Sequence, residues 1–554
     1  MKHLPAQDPE KTREYVEQGW WGDLAVADYV ARNAQTIADR IAYVSDGTRL
    51  SWREYDAQID LLATALTALI PRGARFGMLL PDCGEFHVAL CAAERSGTVA
   101  LGMGARSGRE EIRHLMSRSE ADVLVMRESH RDRPALDYVA DLAEDGWPIS
   151  ALVIIDASGP VRLHRFDGST MATSSVPYAS IEDTRARASG PNELTMLNST
   201  SGTTGRPKLV TQFANRMIAF SKMAVDAADF TEDDVMLGAV PGPFGFGLWT
   251  AHYATAMLGM RTVLMEKFAI DEMIRLIDDE QVTVLACVST QFKMMLDAPG
   301  LSRASLDTLR VMFTGGEAVP YERALQFEER VGAKVLQFYG SNESGAISNT
   351  TLRDPAEQRL RTAGRVIDVM NMRLYDASGD DITETGGPGC PGVSGPTICL
   401  GYYADPAANE ELFHDGRLMM PDLVTVDADG YLRVVGRTSD LIIRGGKNIS
   451  AIEVEELVEG HPDVLMASAV PVADDLFGER IGVAVTLRDS TLTVASLTEY
   501  LAGRGISKHL YPERVVILNE LPRAAGGKVA KGVVRDIVSS QSGADVDLRS
   551  AVTA

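Results

Sequence analysis

The 554-residue chain carries 54 lysines and arginines against 77 aspartates and glutamates, a formal charge of −23, with 45% of its residues hydrophobic. That apolar fraction supplies a core for two or more domains, and the acidic balance excludes general binding to nucleic acid or to an anionic membrane, while allowing a local basic pocket for a small anion. The five cysteines (Cys83, Cys91, Cys287, Cys390, Cys399) lack CxxC or Cys/His metal spacing and the polar start MKHLPAQDPEKTREYVEQ lacks a signal core, so a reducing cytoplasm with no membrane span is expected.

In chain order, RFGMLL reads as a strand, EFHVALCAAERSG as a helix and ADVLVM as a strand. Residues 199–208, STSGTTGRPK, then interrupt two apolar runs. Glycine lets backbone N–H groups turn toward one anion, hydroxyls add donors and a cation neutralises charge, so the stretch suits a phosphate cradle. It is no P-loop, because Gly202 and Gly205 are three apart and Leu209 follows Lys208. A mobile Ser/Gly linker is the alternative, against which stands the Pro207-Lys208 pair leading straight into an apolar strand.

From residue 261 the pattern alternates. RTVLM, VTVLACV, LRVMFTGG and KVLQFYG read as strands, and DEMIRLIDDE, TQFKMMLDA and PYERALQFEERV as the helices between them. Continuous apolar strands separated by helical periods predict a parallel sheet covered on both faces. Beyond residue 389 the Gly- and Pro-rich runs PGVSGPTICLGYY and GYLRVVG read as antiparallel strands and turns. After GRTSDLIIRGGKNIS the pattern restarts: IEVEELVEGH, SLTEYLAGR and KGVVRDIVSS read as helices, and VLMASAVPV, RIGVAVTL and RVVILNELP as strands. That is a compact α+β unit of about 115 residues, with the tail beyond Gln541 expected to fray.

Four segments in this order, STSGTTGRPK, QFYGSNESG, GYLRVVGRTSDLIIRGGKN and LPRAAGGKVAK, resemble the ATP-signature loop and later motifs of the ANL superfamily of acyl-CoA synthetases, adenylation domains and luciferases. The resemblance covers nearly the whole chain. It implies an α/β fold with a large N-terminal domain (residues 1–436) of layered parallel-rich sheets plus a small antiparallel β subdomain, and a small mobile α+β C-terminal domain (residues 437–554). It also implies two half-reactions: a carboxylate and ATP give an acyl-adenylate and pyrophosphate, then a thiol takes the acyl group.

Each motif acquires a role from that resemblance. Thr200, Ser201, Gly202, Thr203, Thr204, Gly205 and Lys208 would close over the β- and γ-phosphates. Tyr339 would stack on adenine beside Gly340 and Ser341, Glu343 would hold Mg²⁺, and Asn342, where the family usually has Thr, would donate to an α-phosphate oxygen. Gly315, Gly316 and Glu317 would let backbone approach the acyl and adenine groups, although a strand-ending turn explains the glycines equally well. Asp422 would accept from the ribose hydroxyls with Arg437 beside it, yet Met420-Pro421 replaces the family's Thr-Gly, and the proline could change the loop. A solvated surface Asp and Arg are the bland alternative.

Ser439 occupies the hinge, Lys528 would reach the carboxylate and α-phosphate during adenylation, and Gly445 and Gly446 would line a thiol channel. A solvated turn is the ordinary reading of a glycine-flanked lysine. Phe244 and Gly245 stand where the family places an aromatic gate and, in dihydroxybenzoate activators, an Asn; the family's His after the signature lysine is replaced near Ala214. The acyl wall is thus apolar, favouring a bulky alicyclic, terpenoid-like or aromatic acid over phenolic ones.

The expected function is a cytoplasmic acyl-CoA synthetase using ATP, Mg²⁺ and CoA on a small carboxylic acid, with a homodimer admissible. Three alternatives stay open: loading of a stand-alone acyl carrier protein, conversion of supplied acyl-AMP to acyl-CoA only, and a non-catalytic nucleotide-binding relative.

Overall fold

The computed structural model of the chain describes residues 7–156, 161–166, 171–173, 178–199, 207–240, 242–316, 319–445, 447–474, 476–488, 491–523, 529–541 and 545–547. Among these, two large sheets dominate. In the nine-stranded sheet, Ile41–Ser45, Arg261–Leu264, Val235–Gly238, Val284–Ala286, Val311–Gly315 and Lys334–Ser341 pair in parallel, and antiparallel strands close both edges. The eight-stranded sheet has a parallel centre of Ala151–Ile154, Val123–Met126, Arg75–Leu79, Val99–Gly102 and Met196–Ser199.

The period-2 geometry of a strand explains the layers. Along Val311–Gly315, Val311 and Phe313 join one large core cluster while Met312 joins another; along Val123–Met126, Val123 and Val125 join that same first cluster while Leu124 and Met126 face a third. The shared cluster holds the helices Trp52–Leu69, Gly84–Ser96 and Ala214–Ala228 between the sheets. Every residue of Gly84–Ser96 is buried, its charged members included: Glu85 pairs with Arg127, and Arg95 with Asp56 and Asp60. The expected parallel-rich α/β layering is what the chain forms.

The Gly- and Pro-rich region supplies two small antiparallel sheets, one of Asn371–Tyr375, Cys390–Ser394, Arg417–Met419 and Phe413–His414, the other the pair Asp422–Val426 and Leu432–Arg437. The last unit opens with the hairpin Leu441–Arg444/Lys447–Ser450 and builds a sheet around Val464–Asp474 and Gly478–Leu487. One expectation is corrected here. Beyond Gln541, Asp545–Asp547 pairs in parallel with Arg514–Ile517, and Asp545 accepts the Val494 N–H at 2.7 Å. An edge strand is held by main-chain bonds and so needs no apolar pattern.

This unit touches the larger body through Lys293 and Glu459, 2.8 Å apart, and through Arg488 and Asp297, 2.9 Å apart. Among the described residues no helix is long and apolar enough to cross a membrane.

Candidate active site

In open α/β sheets ligands bind outside the carboxyl ends of the parallel strands. At that end of Val311–Gly315, a Cβ on Gly315 would meet the Phe338 carbonyl oxygen at 2.6 Å, so glycine permits the neighbouring strand to pack, and Gly316 turns the chain at φ +80°. At the end of Lys334–Ser341, a Cβ on Gly340 would lie 1.8 Å from the Gly345 oxygen, which makes the tight return possible. Ser341 Oγ accepts the N–H groups of Glu343 (3.2 Å) and Ser344 (3.1 Å), holding the turn that presents Asn342 and Glu343.

Met196–Ser199 and Leu209–Gln212 form an antiparallel pair in which Ser199 faces Leu209, so the signature segment joins two paired strands in the chain. Thr200, Ser201, Gly202, Thr203, Thr204 and Gly205 lie outside the described residues, as do Glu317, Gly446 and Lys528. Lys208 sets its ammonium 4.8 Å from the Tyr402 ring centroid, and the Tyr402 hydroxyl donates to Glu343 Oε1 at 2.8 Å. One tyrosine therefore brings the signature cation and the expected metal carboxylate together. Burial, and then the Glu343 charge, push the Tyr402 hydroxyl well above its ordinary pKa, so it stays a donor.

Glu343 has no salt-bridge partner among the described residues. A half-buried carboxylate with one oxygen free for a hard cation fits Mg²⁺, with phosphate oxygens and water completing the shell.

Asp422 stands directly opposite Arg437 in the antiparallel pair. Arg437 Nε lies 2.9 Å from Asp422 Oδ1, and the Tyr339 hydroxyl lies 3.0 Å from Oδ2. Asp422 is only 4% exposed, and its remaining lone pairs can still accept from a diol. Pro421 does not disturb this arrangement: it lies before the strand's first residue, and its carbonyl accepts the Thr438 N–H (2.9 Å) and hydroxyl (3.0 Å). The missing proline N–H falls where no ladder bond is needed.

Phe244 caps the short helix Gly245–Leu248, which continues as a π-helix, Trp249–Ala254. A Cβ on Gly245 would meet Asn342 Oδ1 at 2.9 Å. Trp249, fully buried, packs against Phe246, Phe313 and Phe338, with centroids 5.8, 5.1 and 6.0 Å away. Its indole N–H has no hydrogen-bond partner among the described residues. Sequence reasoning passed over this aromatic wall, although the FGFGLW run was its signal. Ser439 lies in the one-turn segment Thr438–Asp440, its side chain outside the described residues. Gly445 (φ +56°) sits at the exposed end of the Leu441–Arg444/Lys447–Ser450 hairpin.

Sequence reasoning also missed the buried polar residues around Asn342. Asn198 and Gln212 are 0% exposed, and Arg216 is 1% exposed. Arg216 donates through Nη2 to the carbonyls of Asn342 (2.7 Å) and Glu343 (2.9 Å), and through Nε to Thr397. Its guanidinium has no carboxylate partner among the described residues, and burial lowers its pKa.

The family model for AMP-binding enzymes matches residues 30–403, and that for the AMP-binding enzyme C-terminal domain matches residues 453–528. A medium-chain fatty-acid–CoA ligase of Escherichia coli (strain K12) is 27% identical, over 99% of this chain and 96% of that protein. An indoleacetate–CoA ligase of Aromatoleum aromaticum is 29% identical, over 94% and 99%. Among solved structures, an anthranilate CoA ligase in complex with anthranoyl-AMP superposes with a TM-score of 0.81 at 19% identity, covering 93% of this chain and 98% of that one.

Proposed function

The chain belongs to the AMP-binding enzyme family of adenylate-forming acid ligases, and from that premise we propose that it couples a bulky alicyclic, terpenoid-like or aromatic carboxylate to CoA. The observation that carries this reading is the convergence at one strand end of Lys208 and Glu343 on Tyr402, and of Tyr339 and Arg437 on Asp422.

In the first half-reaction an acid oxygen attacks the α-phosphorus of ATP and pyrophosphate leaves. Asp422 holds the ribose hydroxyls, the Tyr339 ring supports the adenine, and Lys208 with the hydroxyl-rich loop 200–205 takes the β- and γ-phosphates. Mg²⁺, when bound at Glu343, supplies charge neutralisation for the phosphate oxygens. Asn342 donates to the α-phosphate, and Lys528 offsets charge developing there. In the second half-reaction the CoA sulfur attacks the acyl carbonyl and AMP leaves. We place the division between residues 436 and 437, with Ser439 as hinge and Gly445 and Gly446 on the thiol path.

The wall of Trp249, Phe246, Phe313 and Phe338 supports the aromatic branch of the substrate class, because it offers ring faces and edges rather than charge. All five cysteines are free thiols, which supports a cytoplasmic setting. The test is pyrophosphate release over a panel of aromatic, alicyclic and fatty acids, with the thioester followed by mass spectrometry. Release by no acid would overturn the adenylation reading. Thioester formation with a phosphopantetheinylated carrier protein but not with CoA would move the acceptor.

A further inference from the structure

Arg216, Gln212, Asn198 and Asn342 form one hydrogen-bonded chain in which both ends of the Gln212 and Asn198 amides have partners. Gln212 Oε1 accepts from Arg216 Nη1. Gln212 Nε2 then donates to Asn198 Oδ1 (2.9 Å) and Asn342 Oδ1 (3.2 Å). Asn198 and Asn342 face each other as a reciprocal amide pair, each Nδ2 3.0 Å from the other's Oδ1, and the second Asn198 N–H goes to the Pro243 carbonyl at 3.0 Å. The second N–H of half-buried Asn342 bonds to none of the described residues.

An amide can be turned end for end, and only its partners decide which end is which. Here the decision begins at Arg216, because a guanidinium can donate but never accept. It fixes the Gln212 oxygen toward itself and so the Gln212 nitrogen toward the two asparagines. Their oxygens must then face Gln212. Turning Asn342 round would set its NH₂ against the N–H groups of Asn198 and Gln212.

We infer that Arg216, Gln212 and Asn198 are positioning residues that hold Asn342 with its free N–H directed outward as a donor to the ligand's α-phosphate. This rests on the ligase reading for the place of that phosphate. The relay concerns only which end of the amide the ligand meets.

The test uses AMP and adenosine as probes, with dissociation constants measured by calorimetry on the full-length chain. The wild-type chain should bind AMP more tightly than adenosine. Gln212→Glu keeps the shape and gives Arg216 a carboxylate, so folding is retained, but it cannot donate and should reverse both asparagine amides. AMP affinity should fall about 10- to 100-fold, as for losing one hydrogen bond to a charged group, with adenosine affinity unchanged. Adding Asn342→Thr should recover most of the loss, since a hydroxyl both donates and accepts and has no wrong end.

An AMP preference unchanged in Gln212→Glu overturns the relay. A loss that persists in the double variant overturns it too, because simple repulsion by the new charge would explain that result. If the wild-type chain shows no preference for AMP over adenosine, the phosphate site itself is misplaced, and the ligase reading falls first.

Discussion

Lys293 and Glu459 form an ion pair at 2.8 Å between the helices Ser289–Asp297 and Ala451–Glu459, with each side chain only 9% exposed. Glu459 also accepts the Ala467 N–H at 3.0 Å, so it is fixed within its own unit and Lys293 reaches it from outside. Removing one partner of a buried pair typically costs about 3–5 kcal/mol, since it strands a charge, whereas replacing both by apolar groups is often neutral. Lys293→Met should therefore loosen the last unit against the larger body without unfolding either. Trypsin cleavage between residues 437 and 450 should accelerate, and Lys293→Met/Glu459→Met should return it toward wild type. Equal cleavage in all three chains would show that the pair does not hold the orientation.

A second prediction concerns pH. Asp82 is buried, both of its carboxylate oxygens lack a side-chain hydrogen bond among the described residues, and burial pushes its pKa up to about 8. His87, whose Nε2 lies 3.6 Å from Asp82 Oδ1, is pushed down to about 3 by burial and stays neutral. An acid whose folded pKa exceeds its unfolded value keeps its proton in the folded state while the unfolded chain loses it. Stability from this group therefore falls as pH rises from about 4 to about 8. Asp82→Asn removes that dependence. Its stabilising effect, read as the difference in thermal midpoint from wild type, should be near zero at pH 4.5 and grow steadily to pH 8. A difference that does not change with pH would mean that Asp82 is ionised in the fold.

The alternation from residue 261 onward was legible because strands covered on both faces must be apolar along their whole length, as in Val284–Ala286 and Val311–Gly315. The roles expected of Lys208, Glu343, Asp422 and Arg437 came from the resemblance of their segments to a known family, which spacing alone does not supply. The buried amide chain was not. Gln212 and Arg216 are four residues apart on paper and look like ordinary polar positions, and nothing local says that Asn342 lies 130 residues away as the partner of Gln212. The strand Asp545–Asp547 was hidden for a related reason: main-chain pairing leaves no pattern in side-chain type.

Asp422→Asn tests the ribose assignment. Arg437 Nε can only donate whereas the Tyr339 hydroxyl can turn to accept, so the amide settles with its oxygen toward Arg437 and its nitrogen toward Tyr339, and the negative charge is gone. With a ribose acceptor gone as well, adenosine affinity should drop about 10- to 100-fold. An adenosine affinity equal to wild type would place the nucleoside elsewhere.

The last prediction separates Gly245 from Trp249, a member of the proposed acyl wall. Gly245 opens a helix, so alanine there suits the backbone, but its Cβ would press on Asn342 Oδ1, 2.9 Å away, and on nothing else closer than 3.7 Å. The strain falls on Asn342, the residue proposed to meet the α-phosphate, and displacements near 1 Å there can cost about 100-fold in rate. Gly245→Ala should lower kcat/KM for every accepted acid by a similar factor while leaving the thermal midpoint in place. Trp249 faces the apolar rings of Phe246, Phe313 and Phe338. Trp249→Leu removes ring volume from the wall alone, so it should shift the ranking of acids by roughly 10- to 200-fold in favour of longer ones with little change in the KM for ATP. The two variants are read side by side on one acid panel. A uniform loss from Trp249→Leu, or a reordering of acids by Gly245→Ala, would exchange their roles and move the acyl pocket from the indole to the helix start.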